Sequence, residues 1–370
     1  AMEKDMTVSP FDPMELGRLT LKNRILMAPM TRGRADAKGA PQDIVAAYYA
    51  QRAEAGLIIS EAVAVNQLGH GWPGAPGLYT DHHQAGWARV AAAVRAAGGH
   101  MFMQLWHMGA AVIPDHIDGA QPVAPSAIAL AGEIPDRQGH ATKFVRARAL
   151  TQAEIAEIVE DFAGSAARAV AAGLDGVEIH AANSFLIDQF LRDSTNHRTD
   201  RYGGSVQNRA RFLLEVVDAV AARIGADRVG VRVSPTNAVF GISDANPGAL
   251  FTYVAEALSP RGLAYLHVLE PSNDSESFMA TQAPTLARHL RQTYNGTFVL
   301  NGGLDLQAAT SLLAEDRANA VALATPFIAN PDLVTRLAKG LPLATPDPAK
   351  FYMPGPEGFS DYPNASTAAA

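Results

Sequence analysis

HAANSFLIDQFLRDSTNHRTDRYGGS, residues 180–205, is the stretch on which the fold turns. It opens with a histidine and an asparagine three apart and runs through an apolar segment into Arg, Asp, Tyr and Gly. A short apolar run, GVEIHAA (176–182), leads into it. Together they read as the end of a buried strand entering a long loop, with polar groups where the apolar run stops. The same pattern recurs along the chain. Candidate strands are RILMAPM (24–30), LIISEAV (57–63), MFMQLWH (101–107), VGVRVSP (229–235), YLHVLE (265–270), TFVLNGG (297–303) and AVALATP (320–326). Between strands lie helical patterns. AEIAEIVEDFAGSAARAVAAG (153–173) and VQNRARFLLEVVDAVAARIG (206–225) repeat apolar residues at 3.6 spacing and end on Gly173 and Gly225.

Eight such units predict an α/β fold, a single-domain (β/α)8 TIM barrel. A doubly wound sheet is the alternative, but no GxGxxG opens the chain. Residues 108–150, after the third strand, are rich in Pro and Gly and lack helical periodicity. They read as an insertion, either a lid over the active face or a surface excursion. Residues 364–370 are expected to fray.

The composition narrows the partners. The chain has 370 residues, 48% hydrophobic, with a formal charge of −7 and no cysteine. Disulfides and thiolate metal sites are excluded. Nucleic acid and anionic membranes are poor partners for such a charge. No apolar stretch is long enough to span a bilayer, and the first ten residues have no apolar signal core. A cytoplasmic protein, monomeric or homodimeric, is the expectation.

In a barrel the chemistry sits at the carboxyl ends of the strands. Thr31, Glu61, Gln104, Trp106, His180, Asn183, Arg232, Gly302, Gly303 and Thr325 all fall there. If the chain turns helical after 180, His180 and Asn183 share a face and offer two neutral donors to one oxygen. The alternative is a structural histidine beside a turn asparagine. Arg232 sits inside an apolar strand and needs a partner, either Glu178, Glu270 or an anionic ligand such as a reduced flavin. Gln104 can donate and accept at a ring amide edge, and Thr31 can donate one hydroxyl bond. NGG (301–303) and ATP (324–326) end the last two strands, where barrels commonly bind phosphate. No metal constellation is visible, because no paired carboxylate joins His107 and His180. No nucleophile elbow supports a serine triad.

APMTRGRA (28–35), YYAQRAEAGLIISEA (48–62), APGLYTD (75–81), QLWHMG (104–109), DGVEIHAAN (175–183), FLIDQFLRDSTNHRTDRYGGSVQNRARFLLEVVDAV (185–220), VRVSP (231–235), FIANPDLVTRL (327–337) and GFSDYP (358–363) carry a resemblance over nearly the whole chain. The sequence resembles the old yellow enzyme family of FMN-dependent ene reductases, in its classical bacterial type. The resemblance implies FMN at the carboxyl face, NADPH or NADH as reductant, and an α,β-unsaturated carbonyl or nitro compound as substrate. It implies that Thr31 meets the flavin O4 region, Gln104 the pyrimidine edge and Arg232 the N1/C2 edge. Pro29, Met30 and Ala62 would add nearby contacts, and Gly302, Gly303, Ala324 and Thr325 would hold the phosphate. His180 and Asn183 would bind the substrate oxygen. Trp72, Trp106, Phe240 and Phe359 would wall the pocket.

The sequence departs from the family pattern at several places. Phe185 stands where a proton-donating tyrosine is usual, so protonation is expected to be slowed or diverted. ALATP (322–326) replaces a pattern close to AFGRP, removing the arginine that grips the phosphate. HMGAAV (107–112) lacks a large basic residue after the glycine, and Phe359 replaces a common tyrosine. These departures leave room for a double-bond isomerase, for radical chemistry, or for a flavin-binding barrel with little turnover.

Overall fold

The computed structural model describes residues 7–271 and 285–368. Eight strands close into an all-parallel barrel. They are β1 (Ile25–Met27), β2 (Ile58–Ala64), β3 (Met101–Trp106), β4 (Gly176–Ala181), β5 (Val229–Val233), β6 (Tyr265–Leu269), β7 (Phe298–Asn301) and β8 (Ala320–Leu323). β8 pairs with β1 and β3 with β4, which closes the ring. Each of the eight expected runs is thus a barrel strand. The longer helices lie where the periodicity places them. Gln152–Ala172 starts on a capping box of Thr151 and Glu154 and stops at left-handed Gly173 (φ 102°). Val206–Ile224 starts on a Ser205 cap.

Period-two alternation sorts each strand into two environments. Val177, Ile179 and Ala181 of β4, and Val229, Val231 and Val233 of β5, pack outward in one core with helix residues such as Phe162, Leu213 and Val217. The barrel interior is apolar at the amino end, where Leu26, Ile59, Phe102, Tyr265 and Val299 meet. An N-terminal hairpin, Met14–Leu16 with Leu19–Leu21, plugs that end and joins the same cluster. The interior turns polar toward the carboxyl end, where Gln104, Glu178, Arg232, His267 and Asn301 are buried.

The 108–150 insertion is built of short strands and turns, which explains its lack of helical period. It holds a hairpin, Glu133–Pro135 with Ala141–Lys143, and a short parallel pair, Val123–Ala124 with Arg148–Ala149. Its Ala110, Ile113, Ile134 and Phe144 form a small core of their own, against which Trp72, Phe185 and Phe240 pack. The carboxyl-terminal stretch departs from expectation. Ala365–Ala368 is helical, and the Ala365 amide donates to Asp332 Oδ2 at 2.9 Å; residues 369–370 lie outside the described residues.

Gly230 explains how a bulky interior ring is admitted. A Cβ at Gly230 would lie 2.2 Å from the Tyr265 ring on the neighbouring strand. Gly230→Ala is therefore expected to lower stability by about 1–3 kcal/mol, as overpacked cores do. Urea unfolding measures this.

Candidate active site

Two cavities open at the carboxyl end of the barrel. One, of about 550 Å³, lies over the ends of β1, β6, β7 and β8. The other, of about 260 Å³, lies over β3 and β4 and reaches the insertion. Pro29, Thr31, Asn183, Arg232 and Tyr352 line both, so the two form one cleft.

The floor of the cleft is a buried charge system. Glu178 is fully enclosed, and three donors meet its carboxylate. Gln104 Nε2 donates at 2.8 Å, Tyr265 Oη at 2.9 Å, and His267 Nδ1 lies at 2.9 Å. Burial opposes ionisation of Glu178, but His267, the Arg232 charge and the Tyr265 hydroxyl outweigh it and hold the carboxyl below its ordinary range. Arg232 lies beside this group without joining it. Its Nη2 donates to Asn301 Oδ1 at 2.8 Å, and Asn301 Nδ2 in turn donates to Ala322 O at 2.8 Å. Among the described residues, Arg232 Nε is buried with no hydrogen-bond partner. Glu270 does not serve Arg232. Its carboxylate accepts from Thr285 Oγ1 and from the Leu286 and Ala287 amides.

His180 stands one inward position above Glu178, in register with Arg232. The Ala182 amide donates to its Nδ1 at 3.3 Å, so Nε2 carries the proton. Burial, then the Arg232 and His267 charges, push His180 well below its ordinary value and keep it neutral. Asn183 joins it by a route other than a shared helical face. Asn183 and Ser184 are left-handed (φ 58° and 70°), and the helix begins only at Leu186. That turn is pinned on several sides. The Asn183 amide donates to Ser234 Oγ at 2.9 Å, the Ser184 hydroxyl to Val239 O at 2.6 Å, and the Ser184 amide to Asp188 Oδ2 at 3.0 Å. Asp188 is itself in a buried ion pair with Arg192. Asn183 Oδ1 is buried and, among the described residues, has no partner. The Phe185 ring stands edge-on to both Trp106 (4.6 Å) and His180 (5.0 Å), closing one wall.

A neutral histidine donor, a left-handed asparagine and an underused guanidinium at one barrel mouth suit an anionic ring beneath a carbonyl-like acceptor. The model of the NADH:flavin oxidoreductase / NADH oxidase family matches residues 9–344. The chain belongs to this family, that of old yellow enzyme. It is 44% identical to the old yellow enzyme homologue from Zymomonas mobilis, over 96% of this chain and 99% of that one, with a TM-score of 0.94. It is also 44% identical to morphinone reductase in complex with tetrahydroNAD, over 98% and 99%, with a TM-score of 0.90. A probable flavin mononucleotide-dependent alkene reductase of Leishmania infantum is 40% identical, over 95% of this chain and 96% of that one. Like other members of the old yellow enzyme family, the protein is an FMN-dependent oxidoreductase.

The residues present fit a flavin. Arg232 Nε and Asn183 Oδ1 are buried polar atoms awaiting partners, and the cleft's volume lies in the roughly 300–1,000 Å³ typical of ligand sites. Pro29, Thr31, Ala62 and Gln104 line the smaller cavity with Trp72, Trp106 and Phe240. Met30, Gly302, Gly303, Ala324 and Thr325 line the larger. Gly302 also answers a packing demand, since a Cβ there would lie 1.9 Å from Glu270 O. The phosphate end of an old yellow enzyme flavin would meet little charge. Among the described residues, Arg32 and Arg232 are the only cations lining the larger cavity. The Arg32 guanidinium is already engaged by Tyr48 Oη, Phe351 O and Gly358 O.

One expected wall residue lies elsewhere. Phe359 is fully buried, stacked on Tyr48 at 4.0 Å, with Arg34 4.6 Å over its ring. It underlies a clamp that the sequence left unread. Arg34 donates to the carbonyls of Lys350, Phe351, Gly355 and Glu357, and Arg32 to those of Phe351 and Gly358. This clamp places Tyr352 over the cleft, where Phe359 was expected. The signal was present in RGR (32–34), two arginines just past a strand end, but their partners lie more than three hundred residues away.

Because its folded value lies well below that of a free histidine, His180 is expected to stay neutral as the pH falls through the range where a free imidazole charges, with the proton on Nε2. Nitrogen-15 imidazole shifts followed from pH 8 to 5 check this. A His180 that titrates near 6.5 would contradict the enclosure described above.

Proposed function

We propose that the protein reduces the activated C=C bond of α,β-unsaturated carbonyl or nitro compounds, with NADPH or NADH as reductant. The observation that carries this reading is the neutral His180 Nε2–H beside Asn183 in the cavity that Arg232 also lines. FMN, when bound, supplies a two-electron store filled by the nicotinamide and drawn on by the substrate. His180 and Asn183 hold the substrate oxygen, and their grip strengthens as negative charge gathers there during reduction. Neutrality matters, because a donor that keeps its proton binds the oxygen without diverting the reaction. Arg232 sets a fixed positive field against the reduced ring, steadied by Asn301. Trp106, Phe185 and Phe240 exclude water from the acceptor. Relatives named as an alkene reductase of L. infantum and 12-oxophytodienoate reductase 2 of Arabidopsis thaliana support the reaction class.

Phe185 sets this chain apart. It fills the wall beside His180 but has no acidic hydrogen to give the substrate's α-carbon. Phe185→Tyr is expected to speed enone-driven reoxidation of the reduced enzyme by about tenfold or more. Stopped-flow absorbance under anaerobic conditions measures it, and an unchanged rate would mean that proton delivery is not slow. The uncharged phosphate end gives a second expectation. Thr325→Arg should tighten FMN by roughly tenfold or more, as a charged hydrogen bond is worth about 1.5–3 kcal/mol. Fluorescence titration of the apoprotein with FMN reads the change.

A further inference from the structure

We propose that Tyr352 delivers the α-proton that Phe185 cannot; this rests on the ene reductase reading above. The cavity itself narrows the choice. Its polar lining offers few transferable protons. The His180 Nε2–H is committed to the oxygen, on an imidazole held neutral by its surroundings. The Asn183 amide, the Thr31 hydroxyl and the Trp106 indole are far too weakly acidic. Among the described residues that line the cavity, Tyr352 carries the only phenol.

Its position suits the task. Tyr352 stands with Asn183 at the seam of the two cavities, lining both. Its ring meets Trp72 edge-on at 5.5 Å, and Trp72 packs in the same apolar clusters as Phe185. The acceptor space is thus bounded by Phe185 on one wall and Tyr352 on another. The side chain is half-exposed, so water can reach the phenol from outside the cleft. Its backbone is not loose, because Arg32 and Arg34 bond the carbonyls of Lys350 and Phe351 beside it. Partial burial raises the phenol above its ordinary value, with Arg32 opposing, so it remains protonated at neutral pH.

The step balances as follows. Hydride from reduced FMN, when bound, which is thereby oxidised, forms the new C–H bond at the β-carbon, and the π electrons shift to the substrate oxygen held by His180 and Asn183. The returning electron pair at the α-carbon takes the Tyr352 hydroxyl proton, breaking its O–H bond. Water restores the proton to the phenolate. The substrate gains two electrons and two hydrogens, one of them from solvent.

The test uses the FMN-loaded enzyme, reduced anaerobically and mixed with 2-methylcyclohex-2-enone, whose product reports the face of protonation. Tyr352→Phe is expected to slow reoxidation by at least about tenfold and to move the product toward a racemate. Phe185→Tyr combined with Tyr352→Phe should restore both rate and enantiomeric excess. A flavin-free measurement stands beside these. The 295 nm titration difference between wild type and Tyr352→Phe should show tyrosinate only above about pH 10. Wild-type rate and enantiomeric excess in Tyr352→Phe would overturn the assignment while leaving the reductase reading intact, and a phenol ionised at pH 8 would do the same. Reduced wild-type enzyme that the enone fails to reoxidise would overturn both.

Discussion

A carboxylate sealed in a barrel has to be answered on every side, and much of this site follows from how Glu178 is answered. Two strands supply its three partners, Gln104 from β3 and Tyr265 and His267 from β6. Removing any one would strand charge away from water, a penalty of several kcal/mol. The requirement reaches the backbone as well, because Tyr265 can cross to Glu178 only over the bare Cα of Gly230. With the carboxylate satisfied by Gln104, Tyr265 and His267, Arg232 is not consumed in an ion pair. It keeps its charge at the cleft surface, tethered at one nitrogen by Asn301. A buried anion below and a buried cation above give the barrel mouth a fixed polarity before any ligand arrives.

The upper layer is fixed by backbone shape. Two consecutive left-handed residues, Asn183 and Ser184, cost conformational energy that non-glycine residues rarely accept. Ser234, Val239 and Asp188 compensate with hydrogen bonds from three directions. The result is an asparagine side chain that reaches the same space as His180, although the two leave the strand by different geometry. Precision at the reacting atoms rests on a loop held as tightly as a helix.

Much of this was legible in the sequence. Strand order and the longest helices are written in local periodicity, and His180, Asn183, Gln104 and Arg232 announce themselves as polar groups where apolar strands stop. What local pattern cannot carry is pairing at a distance. The role of Glu178 was hidden because its partners lie 74 to 89 residues away. Asn183 was read onto a helical face because the left-handed turn has no glycine to mark it. Phe359 was read into the pocket because only the folded chain shows that Arg34 covers its ring and that Tyr352 takes the exposed place. The insertion, by contrast, shows in the sequence as an absence of period, and strand pairs of two or three residues leave just that trace.

The arginine clamp also bears on the order in which the molecule is made. Arg32 and Arg34 leave the ribosome more than three hundred residues ahead of the carbonyls that hold them, which belong to residues 350–358. Until that segment emerges, two guanidinium groups destined for the interior lack most of their acceptors, keeping only Tyr48 Oη and Arg32 O, and the first strand's loop cannot settle. The barrel wall can assemble as the chain grows, but the mouth waits for residues 350–358. A chain cut short before residue 350 would therefore lose the architecture of a loop encoded more than three hundred residues earlier.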